Sequence, residues 1–206
     1  MIFHKPQKKI FPVSFSINCI PIENVKFFKF LGIILDENLS WKSHTNLVAN
    51  KLSKVVGILN RLKVVYPEQA LFFIYNSLFM SHINYGLLLW GTNMNKISLI
   101  QKKAIRIITR SNYRAHSEPL YKEFGLLNVN DLFHLKLLKF YYKLSYNLLP
   151  SYFDSYLEAI NKELSYTYNL RPCARPLIRL PRTRLVSSET NVLYQLLTLI
   201  NSRLHM

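Results

Sequence analysis

Acidic residues are scarce in this 206-residue chain: 11 Asp+Glu stand against 27 Lys+Arg, a formal net charge of +16. The shortage weighs against phosphoryl transfer, because two-metal sites need carboxylates grouped around ions about 3.5–4 Å apart. Only Asp36 and Glu37 are adjacent, and beside Asn38 they read as a solvated turn. Cysteine is nearly missing too. Cys19 and Cys173 are too few for a disulfide framework or a Cys-rich zinc site, and read as buried or inert thiols of a reduced intracellular protein. The five glycines are scattered, which excludes a glycine-rich phosphate loop. His4, His44, His82, His116, His134 and His205 never fall at metal-ligand spacing with one another or with cysteine. No recognisable active site emerges.

A long uninterrupted apolar run is also lacking. The most apolar stretch, Leu71 to Trp90, carries Asn76, Ser77, Ser81, His82 and Asn84, so it reads as buried helix and not as a membrane span. Lysines follow the first residues at once, which speaks against a signal peptide. The expectation is an intracellular protein without integral membrane association, with nucleus and cytoplasm both open. What is abundant is apolar and basic. Half of the chain is hydrophobic and 14% aromatic, enough for a buried core and too much for general disorder. The positive excess calls for a polyanionic partner, and nucleic acid is the commonest one.

Along the chain the hydrophobic period changes. Val13, Phe15 and Ile17 alternate with Ser14 and Ser16, the pattern of a half-buried strand. Phe27 to Leu35 reads as a second strand, with Gly32 marking a bulge or a close backbone approach. From Trp41 the pattern turns helical: Val48, Leu52, Val55, Leu59 and Leu62 form one stripe, with Lys51, Lys54 and Arg61 on another side. Pro67-Glu68 starts a helix that is apolar nearly all round and runs to about Ser81. Asn95 to Arg110 makes a third helix, burying Ile97, Ile100, Ala104, Ile107 and Ile108. Ser117-Glu118-Pro119 opens a short helix that Gly125 stops, and Asn130 caps a long one facing Leu132, Leu135, Leu138 and Tyr142 inward. After Ser165, Arg171, Arg175, Arg179, Arg182 and Arg184 alternate with Pro172, Pro176 and Pro181, an extended basic segment. Val192 to Leu204 fits a last amphipathic helix.

The fold class expected is mainly α with a small N-terminal β portion: strands at 1–40, a helical bundle at 41–116, further helices at 117–165 and a basic tail at 166–206. The candidate binding residues lie in two places. Lys102, Lys103, Arg106 and Arg110 gather on one helix side, and Arg114 extends the row past Tyr113. Such a row can follow a sugar-phosphate backbone, each contact gaining affinity by counterion release. Tyr113 can stack on a base, although an aromatic in such a chain is more often core. Lys51 and Lys54 add to the positive surface, and Arg171, Arg175 and Arg179 form the second candidate patch. The competing readings are a plain solvated face for the helix and simple disorder for the tail.

Three stretches taken in order carry a resemblance. FKFLGIILDENLSWKSH (28–44), SLFMSHINYGLLLWG (77–91) and LIQKKAIRIITRSNYRAHSEPLYKEFGLLNVNDL (99–132) resemble the region downstream of the catalytic centre in non-LTR retrotransposon reverse transcriptases, those of jockey-like elements especially. A weaker likeness continues through LLPSYF (148–153) and the Arg/Pro tail.

The resemblance implies the end of a polymerase palm, a thumb and the region downstream of the thumb. Leu31 and Gly32 would lie on the strand beside the primer terminus, and the row from Lys102 to Arg114 would hold a template-primer duplex of RNA or DNA. The family's paired catalytic aspartates have no counterpart here, so magnesium would belong to the missing palm part, and this chain by itself needs no cofactor. That catalytic part is then a second partner. The function expected is nucleic-acid binding without polymerisation. The rival readings are a stand-alone, non-enzymatic RNA- or DNA-binding module and a relic reading frame without a selected task.

Overall fold

The structure, a computed structural model, describes residues 1–4, 14–92, 94–155, 158 and 192–203. Arg171, Arg175, Arg179 and Cys173 lie outside the described residues, as do Val13 and the whole Arg/Pro segment. The expected class holds: short strands come first and helices make up most of the rest.

The strands form two separate antiparallel hairpins. β1 (Phe15–Ile17) pairs with β2 (Ile20–Ile22) around Asn18-Cys19, and β3 (Phe27–Phe30) pairs with β4 (Ile33–Asp36) around Leu31-Gly32. In each two-residue turn both residues have positive φ: 49° and 64° in the first, 46° and 82° in the second. Turns of that hand match the right-handed twist of the strands they join.

This corrects three expectations. Phe27 to Leu35 is not one strand, because Gly32 supplies the left-handed turn that folds it back on itself. Phe15 and Ile17 are exposed rather than half-buried, since β1 and β2 have no third strand or helix covering either face among the described residues. Cys19 is an exposed thiol, placed at a hairpin tip and not in a core.

The turn after β4 is not a solvated one either. Asp36 is buried, and its carboxylate oxygens accept from the Asn38 and Ser40 amides at 3.1 and 2.8 Å and from Ser40 Oγ at 2.7 Å. It closes the link between β4 and the first helix.

The chain divides into two compact units. The first comprises Met1–Gly86 and Asn93–Val129, the second Leu87–Thr92 and Asn130–Met206.

In the first unit, α1 (Lys42–Leu62) buries Val48, Leu52, Val55 and Leu59, as its period predicts, together with Ala49 and Val56. α2 (Glu68–Ile74) runs through a π-helical turn (Tyr75–Met80) into α3 (Ser81–Asn84). Leu71, Tyr75, Phe79 and Ile83 are buried at steps of four, a spacing the wider turn helps keep on one side. Phe73 and Leu78 are exposed, so this rod is one-sided and not apolar-packed all round.

α5 (Asn95–Ile108) packs along α1 and against α6 (Ser117–Glu123). Ile97, Ala104, Ile107 and Ile108 are buried as expected. Ile100 is only half-buried, and Gln101 and Ile105 occupy the core beside the predicted positions.

Gln101 is the polar centre of this core. Its Nε2 donates to Tyr75 Oη at 2.9 Å and to the Leu127 carbonyl at 3.1 Å. Its Oε1 accepts from Tyr121 Oη at 3.1 Å and from the Val129 amide at 2.9 Å. A buried amide with both ends satisfied fixes how four segments meet. Burial pushes the Tyr75 hydroxyl up to about 12, against the opposing hydrogen bond from Gln101, and pushes Tyr121 up as well.

In the second unit, α4 (Leu87–Trp90) buries Leu87 and Trp90. α7 (Val129–Ser145) buries Leu132, Phe133, Leu137 and Leu144. Leu138 and Tyr142 are exposed and Leu135 is half-buried, contrary to the expected stripe, and Asn130 lies inside the helix instead of capping it. The helix is apolar on too many sides for a single stripe to be chosen from spacing alone. Gly91 is where α4 meets α7: a Cβ there would sit 2.6 Å from the Phe133 ring and 2.5 Å from the Leu87 carbonyl oxygen. A short 3-10 turn (Ser151–Phe153) and α8 (Val192–Arg203) complete the described part, with Leu196, Leu197 and Leu199 of α8 buried.

Candidate nucleic-acid interface

The predicted basic row is divided by the structure. α5 stops at Ile108, and Arg110 follows in a left-handed conformation at φ 52°, so it leaves the helical arc the spacing assigned it. Its side chain turns to α1: Nη2 donates to the carbonyl oxygens of Lys63 and Tyr66 at 3.0 and 3.1 Å. Those carbonyls lie just past the C-terminal end of α1, where unpaired oxygens and the helix dipole favour a cation. Arg106 bonds a different segment, its Nε donating to the Ala115 carbonyl at 2.8 Å and tying the α5–α6 loop to the helix. Lys103 is exposed and Lys102 is half-buried.

Between α1 and α5 lies a groove of about 650 Å³. Val56 and Ile107 give it an apolar floor. Ser53, Gly57, Asn60 and Lys63 come from the α1 side, and Lys103, Arg106, Arg110 and Tyr113 from α5 and the loop beyond it. Four cations thus share one groove, and no acidic residue is among those lining it. The Tyr113 ring is 77% exposed, available for stacking instead of serving as core. Gathering four like charges along one groove without a carboxylate raises the local potential and draws in an anion.

The structure therefore brings Lys103, Arg106, Arg110 and Tyr113 together. Lys102 does not line the groove, and neither do the exposed Lys51, Lys54 and Arg114; the Arg114 amide instead bonds Asn112 Oδ1 at 3.1 Å. Spacing on α5 missed the α1 wall. Its signal was present, since Ser53, Gly57, Asn60 and Val64 recur at steps of four, three and four, but without charge nothing singled them out.

Leu31 and Gly32 are placed apart from that groove, at the tip of the β3–β4 hairpin. Tyr85 Oη donates to the Leu31 carbonyl and its ring covers Gly32, whose missing Cβ would stand 3.5 Å from it. Leu31 itself is 73% exposed. His44, at the start of α1, accepts from the Ile34 amide through Nδ1 at 3.3 Å. Burial, and secondarily the nearby Lys51 charge, lowers its pKa.

Among the described residues no group of three or more His, Cys, Asp or Glu side chains is placed to hold a metal ion, and no helix is long and apolar enough to cross a membrane. The fold and groove define an α-rich protein with a small β portion and a cation-lined, carboxylate-free cleft.

Among curated proteins, the chain is similar to the probable RNA-directed DNA polymerase from transposon X-element of Drosophila melanogaster, 24% identical over 133 residues. That match covers 60% of this chain and 14% of the relative's length. No protein-family model matches, and no solved structure gives a significant match. The chain is thus related to a transposon RNA-directed DNA polymerase, of which it spans a small part.

Proposed function

We propose that this chain is the thumb and downstream region of a non-LTR retrotransposon reverse transcriptase, a part that holds template-primer nucleic acid without polymerising by itself. The observation that carries this is the α1–α5 groove, with four cations, an exposed tyrosine and no acid along it. Phosphates satisfy such a groove, and the polymerase relative supplies the context in which a duplex must be gripped.

Magnesium does not fit the residues described. The one adjacent acidic pair, Asp36-Glu37, is engaged otherwise: Asp36 serves the β4–α1 turn, and Glu37 Oε2 lies 3.3 Å from His4 Nε2. On this reading metal and nucleotide chemistry belong to the catalytic part of the polymerase, the second partner of this chain.

A second reading, a stand-alone nucleic-acid-binding module, is favoured by the first unit's own buried core around Leu52, Tyr75 and Gln101.

The test is a titration of a labelled primer-template duplex at two salt concentrations, with a parallel assay of dNTP incorporation on a primed RNA template. Affinity should fall steeply with salt and on Lys103→Ala with Arg106→Ala, with no incorporation. Salt-independent affinity would remove both readings, and incorporation by the chain alone would remove the first. Gain of incorporation on adding the catalytic part separately favours the polymerase fragment over the module.

A further inference from the structure

We infer that Gly57 is the point of closest approach between this protein and a bound sugar-phosphate strand, so that α1 forms one wall of the site opposite the cations of α5. This rests on the proposed nucleic-acid function and deepens it.

The chain has five glycines, and four have an internal reason. Gly32, Gly86 and Gly125 have φ of 82°, 62° and 60°, which other residues rarely adopt. Gly91 has no room for a Cβ against Phe133 and the Leu87 carbonyl. Gly57 has neither reason. It sits inside a 21-residue helix, where glycine is less favourable than alanine because it leaves more backbone entropy to lose, and a Cβ there meets no atom within 4 Å.

What the protein's own packing does not require, an occupant of the groove can. Gly57 lines the groove, with Ser53 and Asn60 one turn away on either side, facing Lys103, Arg106 and Arg110. With no side chain at 57, a ribose or phosphate can lie against the helix backbone while the flanking hydroxyl and amide donate to it and the cations opposite neutralise it. The charge of the lining, positive throughout, selects a polyanionic strand as the occupant.

The experiment uses the full chain and fluorescence anisotropy with a labelled primer-template duplex. It compares Gly57→Ala, Gly57→Leu and Lys103→Ala, each also melted thermally. Gly57→Ala should raise Tm by about 2–4 °C, as helix propensity dictates, and yet weaken binding by about threefold. Gly57→Leu should stay folded and weaken binding by about tenfold or more.

Wild-type affinity for both Gly57 variants while Lys103→Ala still weakens binding overturns this inference and leaves the nucleic-acid reading standing. No duplex binding, or binding indifferent to Lys103, removes that reading and this inference with it. Competition by vesicles of anionic phospholipid that is equally sensitive to Gly57→Leu would assign the wall to lipid headgroups instead, also overturning it.

Discussion

The Arg106 guanidinium holds the Ala115 carbonyl oxygen at 2.8 Å from its Nε. One side chain of the basic face is therefore part of the scaffold, while Lys103, one turn earlier on the same helix, is exposed to solvent. The two cations should respond differently to removal.

Lys103→Ala should leave stability within about 0.5 kcal/mol of wild type and lower the slope of log affinity against log salt by about 1. Arg106→Ala should do the same to the slope and also destabilise by about 1–2 kcal/mol, since a charged donor leaves a carbonyl behind. Urea unfolding beside the salt titration separates them. Equal stability for both variants would contradict the scaffold role.

Arg110 combines a left-handed backbone with a cap on the end of α1. Arg110→Gly relieves the backbone and loses the cap; Arg110→Ala loses the cap and keeps the strain. The alanine variant should be the less stable by about 0.5–1 kcal/mol. Chemical denaturation of the pair measures this directly.

Gln101→Leu should be among the most damaging single changes, costing about 3–5 kcal/mol. It strands two tyrosine hydroxyls and an amide inside the core and a carbonyl at its edge, and each unsatisfied buried group costs about 1–3 kcal/mol before relaxation or water repairs some of them. The readout is the urea midpoint with near-UV circular dichroism, which reports the packing of the buried aromatics, Tyr75 and Tyr121 among them. A loss under 1 kcal/mol would show that the network holds nothing together.

Gly91→Ala should destabilise by about 1–3 kcal/mol through overpacking against Phe133. Phe133→Leu creates space at the same point, so the double variant should recover part of the loss. A double-mutant cycle reads the coupling, and strict additivity would rule out the contact.

His44 makes stability sensitive to acid. Its folded pKa lies below the ordinary 6.5, so between the two values the unfolded chain binds more protons than the folded one. The contribution is full above about pH 6.5 and declines as pH falls toward the folded value. Protonation also puts a hydrogen on the Nδ1 that accepts from Ile34. His44→Gln should flatten the dependence of Tm on pH below about 6.5. An unchanged profile would place the acid sensitivity elsewhere.

Much of α1 and α5 was legible because burial there follows a single stripe, and a 3.6-residue period survives in the order of residues. The helix from Glu68 to about Ser81 reads as apolar nearly all round, and apolar content does not say which neighbours arrive: Phe73 is left in solvent while Tyr75 is fully enclosed. Gly32 was legible as a special position but not as a turn, since a glycine between apolar residues serves a bulge and a hairpin equally well until its pairing partner is known. Gln101 carried no signal at all. A lone polar residue in a helix is exposed by default, and only the approach of Tyr75, Tyr121 and the 127–129 segment made a buried place for it.

By itself the sequence determined the sign of the molecule's charge, the predominance of helix and the presence of a basic face on α5. These depend on composition and on residues within a turn of each other. Tertiary structure decided which cations act together. It carried Arg110 off the helix onto α1, gave Arg106 to a loop carbonyl, and set Gly57 and Lys63 opposite Lys103 across one groove. The Arg110–Lys63 contact joins residues 47 positions apart and the Arg106–Ala115 bond spans a helix end and a loop, and no local period records either.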